Sequence, residues 1–562
     1  MATGMLWALA RVTVPYLVMQ AIDRGITGRD VGALARWTAA AAAAGLVASL
    51  CAGLRRFFAF REGRMAEATL RARLFAHLLG LDFGYFDRSS AGDLMSRANS
   101  DLLQIQNFLN MIPFTVGNAL QVAAVTVLLF WLSPLLALCA LGALPLVNVL
   151  GRRFSMRLHP AMMGIQQASA RVAAVVEETV AGSRVIKGIG AEGVQQAKLE
   201  HEADGLYSEA MSAVRTRSRY VPALDLLPNV GLLLVVAVGG HQVLAGKLTL
   251  GELIAFNVYV SQLIWPLRAL GFVIAMGQRA VAAAERVAEV LDACPAVAPP
   301  SAPQSLPDAP RGEVRFEAVR FAYPRSDRRA RPQRPDVLDG FDLVLRPGET
   351  VALVGATGSG KSTVPRLLAR FYDVDGGRVL LDGVDVRSLP LDALRRAVGI
   401  VFEDSFLFTD SIAANIAFAD PAAADESVRE AARLAGAAGF IADLPQGMHT
   451  EVGERGYSLS GGQRQRIAIA RALVARPRVL VLDDATSAID PAKEREILDG
   501  LAGEVGRATT LVISHRPATI ALADRVVFLD EGRVAAEGRH EDLLASNARY
   551  AEVLAAAIAE AG

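Results

Sequence analysis

Residues 355–362 read Gly355-Ala356-Thr357-Gly358-Ser359-Gly360-Lys361-Ser362, followed by Thr363, and about a hundred residues later comes Leu459-Ser460-Gly461-Gly462-Gln463. The first stretch is a phosphate-binding loop. Its glycines let backbone N–H groups converge on the phosphates of a nucleotide, Lys361 reaches the β and γ oxygens, and Ser362 is placed to ligate Mg²⁺. The second stretch puts Ser460, Gly461 and Gly462 at the mouth of an expected helix, a ready-made anion site. The first motif alone indicates a nucleoside triphosphatase; the pair in this order narrows the reading.

The surrounding residues complete the pattern. Val479-Leu-Val-Leu-Asp483 is a buried-strand run ending in a carboxylate of the kind that helps hold Mg²⁺. It continues as Asp484-Ala-Thr-Ser-Ala-Ile-Asp490, His515 follows the apolar run Leu511-Val-Ile-Ser514, and Tyr323 lies upstream. Six motifs in this order, over roughly residues 313–556, resemble the nucleotide-binding domain of ATP-binding cassette (ABC) proteins. The resemblance implies ATP and Mg²⁺ as cofactors. It places Tyr323 on the adenine, Gly355 through Thr363 on the phosphates, His515 on the γ-phosphate, and Ser362, Asp483 and Glu403 at the metal. It also implies that Leu459 through Gln463 complete the ATP site of a partner subunit.

At 562 residues the chain exceeds one ordinary domain. Its 52% hydrophobic content and mean hydropathy of +0.32 exceed those of a soluble globular chain. The excess lies in the first half. A net charge of +0 gives no reason to propose nucleic acid as a partner. Cys51, Cys139 and Cys294 share no metal or disulfide spacing and read as small core or lipid-facing hydrophobes.

Apolar runs near 1–22, 33–54, 112–132, 134–150, 221–244 and 252–275 are long enough to cross about 30 Å of hydrocarbon. The loops after the second and fourth runs are long, helical in pattern and rich in arginine. Arg55, Arg56, Arg61, Arg64, Arg71 and Arg73 lie in one, and Arg152, Arg153, Arg157 and Arg171 in the other. The positive-inside bias makes those loops and both termini cytoplasmic, where ATP is. Phe83-Gly-Tyr-Phe-Asp87 with Gly92-Asp-Leu-Met-Ser-Arg97 and Asp101 resembles the first intracellular loop of ABC exporters. Glu177-Glu178 through Glu192 resembles the second. In that family the loop tips dock on nucleotide domains.

The expected fold is therefore an α-helical six-span membrane domain of the ABC exporter type, residues 1–295, and a linker, 296–312. An α/β P-loop NTPase domain with the ABC α-helical subdomain follows, 313–562. The first run begins almost at Met1 without the cytoplasmic helix the family carries there, and Arg11 sits in mid-run at a cost of roughly 2.5–3.5 kcal/mol. Either the segment is partly shielded by neighbours or the translational start lies further upstream, and the second reading is favoured. Asp225, near the cytoplasmic end of the fifth run, is a candidate for substrate or ion contact or an interfacial residue. Asn118, Gln121, Asn148 and Asn229 either line a polar pathway or bond between helices, the second use being favoured. The run Arg325–Arg334, with five arginines, reads as a solvated loop.

Two positions depart from the family pattern. Asp484 stands where efficient exporters carry glutamate as the base that polarises the attacking water. One methylene fewer withdraws the oxygens by about 1 Å, a misplacement worth on the order of 10²-fold in rate. Glu403, in Val401-Phe-Glu-Asp-Ser-Phe-Leu-Phe408, stands where glutamine is usual near Mg²⁺. Family geometry assigns both to the composite site built on Lys361, leaving the Ser460 motif intact for the opposite site. The resemblance thus implies a heterodimeric half-transporter with one degenerate site, exporting a small molecule, lipid or peptide, with hydrolysis mainly at the partner-completed site. A homodimer, an importer of the same fold, and a nucleotide-sensing regulatory subunit are the alternative readings.

Overall fold

A run of apolar residues in hydrocarbon must satisfy its own backbone N–H and C=O groups, and the helix does so. The computed structural model describes residues 2–142, 144–307, 311–324, 336–453, 456, 458–504 and 508–561. The chain forms two compact units. One comprises residues 1–75 and 96–290, the other residues 76–95 and 291–562.

The first unit is helical. Among the described residues, five helices are long and apolar enough to cross a membrane: Ala2–Thr27, Val31–Gly80, Ala91–Leu132, Glu192–Leu244 and Leu250–Leu291. They take up five of the six expected runs. The remaining one, 134–150, falls on two helices, Pro134–Leu141 and Leu144–Ala181, either side of residue 143, which lies outside the described residues. Val31–Gly80 has 50 residues. At 1.5 Å per residue it is about 75 Å long, more than twice the hydrocarbon thickness, so it continues well beyond the bilayer. Arg11, expected in mid-run, is exposed with its guanidinium 5.2 Å from the Trp7 ring.

Val12, Val125, Leu129, Leu136, Phe256, Tyr259 and Leu263 pack the interior of the bundle. The Tyr259 hydroxyl donates to Val12 O at 2.7 Å. Gln121 donates through Nε2 to Gln262 Oε1 at 3.1 Å, the interhelical use expected of it. Leu46, Val127 and Trp131 are exposed, an apolar exterior that suits lipid rather than water. Asp225 is also exposed, its carbonyl accepting from Asn229 Nδ2 at 3.0 Å. The side chain of Asn148 lies outside the described residues.

The second unit carries two sheets. Strands β1 (Val314–Phe321), β2 (Leu338–Leu345), β4 (Gly376–Leu381) and β5 (Val384–Asp385) form an antiparallel sheet in the order β2-β1-β4-β5. Strands β3 (Thr350–Gly355), β6 (Val398–Val401), β7 (Val479–Asp483), β8 (Thr509–Ile513), β9 (Arg525–Asp530) and β10 (Arg533–Gly538) form the other, ordered β10-β9-β3-β8-β7-β6. All its neighbours are parallel except β9 and β10. β7 is buried at every position, which is why it reads Val-Leu-Val-Leu rather than alternating. Phe316, Phe341, Leu353, Val481 and Leu511 share one core. Helices Ile412–Ile416, Asp425–Leu434 and Gly461–Val474 close a second around Ile412, Ala432 and Ile467. Of the expected linker, residues 308–310 lie outside the described set, as does the arginine-rich run 325–334.

Candidate functional site

Parallel strands aim their C-terminal ends at one edge of a sheet, where ligands of open α/β folds bind. In the order β3-β8-β7-β6 that edge collects Gly355, His515, Asp483 with Asp484, and Glu403. The register pairs Leu353 with Ile513 and Asp483 with Ile513.

The loop after β3 depends on its glycines. Gly360 has φ +102°, and a Cβ there would lie 2.9 Å from Leu338. Gly355 passes so near β9 that a Cβ would meet the Leu529 carbonyl at 2.3 Å. Lys361 is 8% exposed, and its Nζ donates to Gly355 O at 2.7 Å and Ala356 O at 2.9 Å. Burial pushes the Lys361 ammonium below its usual range, opposed by the carboxylates of Asp484 and Asp483. The Ser359 hydroxyl is buried with no hydrogen-bond partner among the described residues. A cation and an unmet hydroxyl inside a glycine turn are fitted to phosphate oxygens.

Ser362 Oγ donates to Asp483 Oδ1 at 3.4 Å. Burial pushes Asp483 up to about 6, and the neighbouring Asp484 charge adds to it. Asp484 is likewise pushed up to about 6 by burial and then by Glu403, against Lys361 and Arg516. Crowded carboxyls of this kind are relieved by a divalent cation. The oxygen donors of Ser362 and Asp483 suit Mg²⁺, which prefers hard ligands and keeps coordination positions for substrate phosphates. Asp484 stands at φ +45°, in the left-handed region, with its N–H donating to Ile513 O at 2.9 Å. Glu403 is exposed beyond the end of β6, and His515 is half-buried beyond the end of β8.

Tyr323, expected on the adenine, has its hydroxyl 3.0 Å from Thr363 Oγ1 and receives a bond from Arg366 Nη1 at 3.3 Å. Its ring packs edge-on against Tyr372, centroids 5.3 Å apart at 90°. It therefore adjoins the phosphate loop while its ring is engaged with two aromatic neighbours, Phe321 being the other.

Ser460 is the N-cap of the helix Gly461–Val474. Its Oγ accepts from Gln463 N at 3.3 Å, and Gln463 Oε1 accepts from Ser460 N at 2.8 Å, a capping box. Gly462 lies against the 486–490 turn, where a Cβ would meet Ala488 O at 2.7 Å.

The residues that hold this turn lie outside the motifs. Gln465 Nε2 donates to Ser487 Oγ at 2.8 Å, and its Oε1 accepts from Ala488 N at 2.9 Å. From the other side Arg516 Nη1 donates to Thr486 O and Ile489 O, both at 3.0 Å, and to Glu494 Oε2 at 3.1 Å. Glu494 is 2% exposed and takes Thr486 Oγ1 at 2.6 Å. The one signal available was position, since Arg516 directly follows His515.

The tip of the first loop belongs to this same unit. Its helix Phe83–Arg88 stacks Phe83 on Phe371, centroids 4.1 Å apart and 12° between planes. The Tyr372 hydroxyl donates to the Asp87 carboxylate. Asp82 Oδ1 accepts from Ala296 N at 2.7 Å. The expected docking of this tip is thus present, and its partners, Phe371 and Tyr372, lie outside the motifs. A groove of about 270 Å³ runs beside Glu403, lined by Arg395, Val401, Phe402, Phe406, Arg471 and Ala475.

The family model for the ABC transporter transmembrane region matches residues 1–267, and that for the ABC transporter matches residues 338–487. A multidrug efflux ATP-binding/permease protein of Mycobacterium bovis is 37% identical over 546 residues, 97% of this chain. The chain spans 45% of that protein's length. An ATP-dependent lipid A-core flippase of Chromobacterium violaceum is 35% identical over 97% of this chain and 92% of its own. A solved structure of a bacterial Atm1-family ABC exporter with ATP bound superposes with a TM-score of 0.79 at 31% identity, covering 99% of this chain and 97% of the other.

Proposed function

The chain belongs to the ABC transporter family, and on that premise we propose that it is one half of an ATP-driven exporter whose own ATP site is degenerate. The observation that carries the motor is the meeting of Lys361, Ser362, Asp483 and His515 at one sheet edge, with Ser460 capping a separate helix. Lys361 and the N–H groups of Gly358 to Thr363 hold the phosphates; Ser362 and Asp483, with Glu403 alongside, hold Mg²⁺, whose charge neutralises the triphosphate. Tyr323 turns from Tyr372 to stack on adenine. His515 meets the γ-phosphate. Ser460, Gly461 and Gly462 face the nucleotide of the partner.

Asp484 supports the degenerate reading. Its shorter side chain leaves the attacking water poorly polarised, and burial, with Glu403 adding to it, pushes its carboxyl up to about 6 and so weakens its grip on the charged form. Turnover then falls mainly to the other composite site, built from the partner's phosphate loop and this chain's Ser460. Two copies of this chain would repeat the weakness, which favours a different half as partner over a homodimer. The exposed tip Ser183–Ile189, with Val185 and Ile189, and the groove beside Glu403 are surfaces that docking between subunits could use. The relatives' names, multidrug efflux and lipid flipping, support outward movement of an amphipathic cargo.

Proteoliposomes test this. With its partner half the chain should hydrolyse ATP and expel a labelled amphiphile, and alone it should hydrolyse slowly. Brisk transport by the chain paired only with itself overturns the degenerate-site reading. A regulatory role that only senses nucleotide is the second reading Asp484 supports, and it requires that the complex turn over equally with Lys361→Ala.

A further inference from the structure

Among the charged residues of the helical unit, Arg55 stands apart. It is 5% exposed, and neither its Nε nor its Nη1 has a hydrogen-bond partner among the described residues. Its guanidinium carbon lies 4.0 Å from the Trp7 ring centroid and 4.2 Å from that of Phe114. Arg11 lies over the same Trp7 at 5.2 Å. No described carboxylate pairs with Arg55, whereas the buried Glu67 and Asp101 nearby in sequence are both paired, with Arg64 and Arg71 and with Arg286. Two glycines shape the space. A Cβ on Gly117 would sit 3.0 Å from Arg55 Nη1, and one on Gly4 would sit 3.4 Å from its Cδ.

The three helices bring these groups to one depth. Arg55 directly follows the apolar run 33–54, Phe114 is near the start of 112–132, and Trp7 is early in 1–22. Each position is toward the cytoplasmic end of its run. Cation–π contacts offset part of the desolvation of a guanidinium but leave its N–H donors unmade. A buried cation in a membrane helix without an internal counter-charge is a site waiting for an external one. The planar fork of arginine matches phosphate and carboxylate oxygens, and the flanking rings suit the apolar body behind them.

We propose that Arg55, held against Trp7 and Phe114 with Arg11 beside it, binds the phosphate or carboxylate headgroup of an amphiphile taken from the cytoplasmic leaflet. This rests on the transporter reading and adds the chemical class of its cargo. Entry requires the helices Ala2–Gln20 and Leu102–Leu132 to part at Gly4 and Gly117, a movement alternating access supplies.

The test uses the full chain with its partner half in phosphatidylcholine nanodiscs, titrated with dodecyl phosphate and, as the headgroup without net charge, dodecyl phosphocholine. Dodecyl phosphate should bind saturably and about ten-fold or more tighter than the phosphocholine. R55Q should erase that preference and R55K keep part of it. Should R55Q fail to fold, R55K and Trp7→Phe must each narrow the preference. Two arms separate the sources: phosphatidylglycerol added to the bilayer competes if the headgroup is a resident lipid's, and ATP-dependent movement of dodecyl phosphate across proteoliposomes marks it as cargo. Equal binding of the two amphiphiles, or an anion preference untouched in R55Q, overturns the site. ATP turnover by the wild-type complex is read alongside. Turnover without anion preference sinks this inference alone, and Arg55-dependent binding without turnover sinks the transporter reading alone.

Discussion

Asp484 ties the proposed rate deficit and the stability of the site to one carboxyl, and both can be tested. Restoring the missing methylene with Asp484→Glu should raise hydrolysis by the lone chain about 10- to 100-fold, measured as phosphate release at saturating ATP. An unchanged rate would place the deficit elsewhere. The same residue gives a pH signature in nucleotide-free, EDTA-treated protein. Its folded pKa is raised to about 6 from 3.8, first by burial and then by Glu403. A carboxyl raised on folding binds more protons in the folded state, so stability falls as pH rises through the window from about 4 to 6 and the penalty is complete above it. Asp484→Asn should therefore raise the unfolding midpoint at pH 8, by roughly 1–2 kcal/mol of stability, and leave it unchanged at pH 4. Arg516 is the counterpart that sequence motifs did not disclose. Removing its guanidinium strands Glu494, which is 2% exposed, and frees Thr486 O and Ile489 O. Arg516→Ala should cost about 3–5 kcal/mol, more than Glu494→Gln, in denaturant unfolding of the second unit. The motif residues were legible because phosphate chemistry demands fixed residue types at fixed spacing. Arg516, Gln465 and Glu494 were not, because a hydrogen bond across 22 or more residues leaves no local pattern.

At the level of elements, the tip helix Phe83–Arg88 is six residues long, too short to be stable alone, so its contacts hold it. Phe83 supplies a stacked ring on Phe371, and Asp87 takes the Tyr372 hydroxyl. Tyr372 in turn meets Tyr323, whose hydroxyl adjoins Thr363 of the phosphate loop. If a nucleotide base draws Tyr323 away from Thr363, as proposed, the change reaches the tip through Tyr372 and Asp87. Tyr372→Phe keeps the ring packing and deletes the bond to Asp87. We expect it to retain ATP affinity within about three-fold while abolishing ATP-induced protection of residues 83–88 in hydrogen exchange, since one lost bond at the tip is worth only about 1 kcal/mol overall. Protection that persists in the variant would remove Tyr372 from the path. The long helices were legible as unbroken apolar runs continued by arginine-rich helical stretches. The short tip was marked by its Phe-Gly-Tyr-Phe-Asp string, but which rings it met depended on residues 371 and 372, nearly three hundred positions away. The fourth apolar run, 134–150, falls on Pro134–Leu141, capped by Ser133, and on the start of Leu144–Ala181, with residue 143 outside the described residues.

For the whole molecule, the division of labour between two composite sites turns on which subunit supplies each part. This chain brings a phosphate loop beside Asp484, the base we propose to be weak, and, on another helix, an N-cap serine with its capping box complete. In a complex with a partner carrying glutamate at the corresponding place, the two contributions are separable by mutation. Lys361→Ala disables only the phosphate grip of the weak site, so steady-state hydrolysis by the pair should fall less than about three-fold. Ser460→Arg places a bulky cation where the partner's γ-phosphate must sit and should cost on the order of 10²-fold, as loss of a transition-state contact does in other enzymes. Both variants should still assemble: among the described residues the Lys361 ammonium bonds to the backbone oxygens Gly355 O and Ala356 O, and Ser460 is exposed, so that Ser460→Arg loses a helix cap worth about 1 kcal/mol rather than a core contact. The ratio of the two losses is the diagnostic quantity. A pair of equal sites demands a ratio near one, a purely sensing subunit demands that neither variant slow turnover, and the asymmetric exporter demands that the serine matter far more than the lysine.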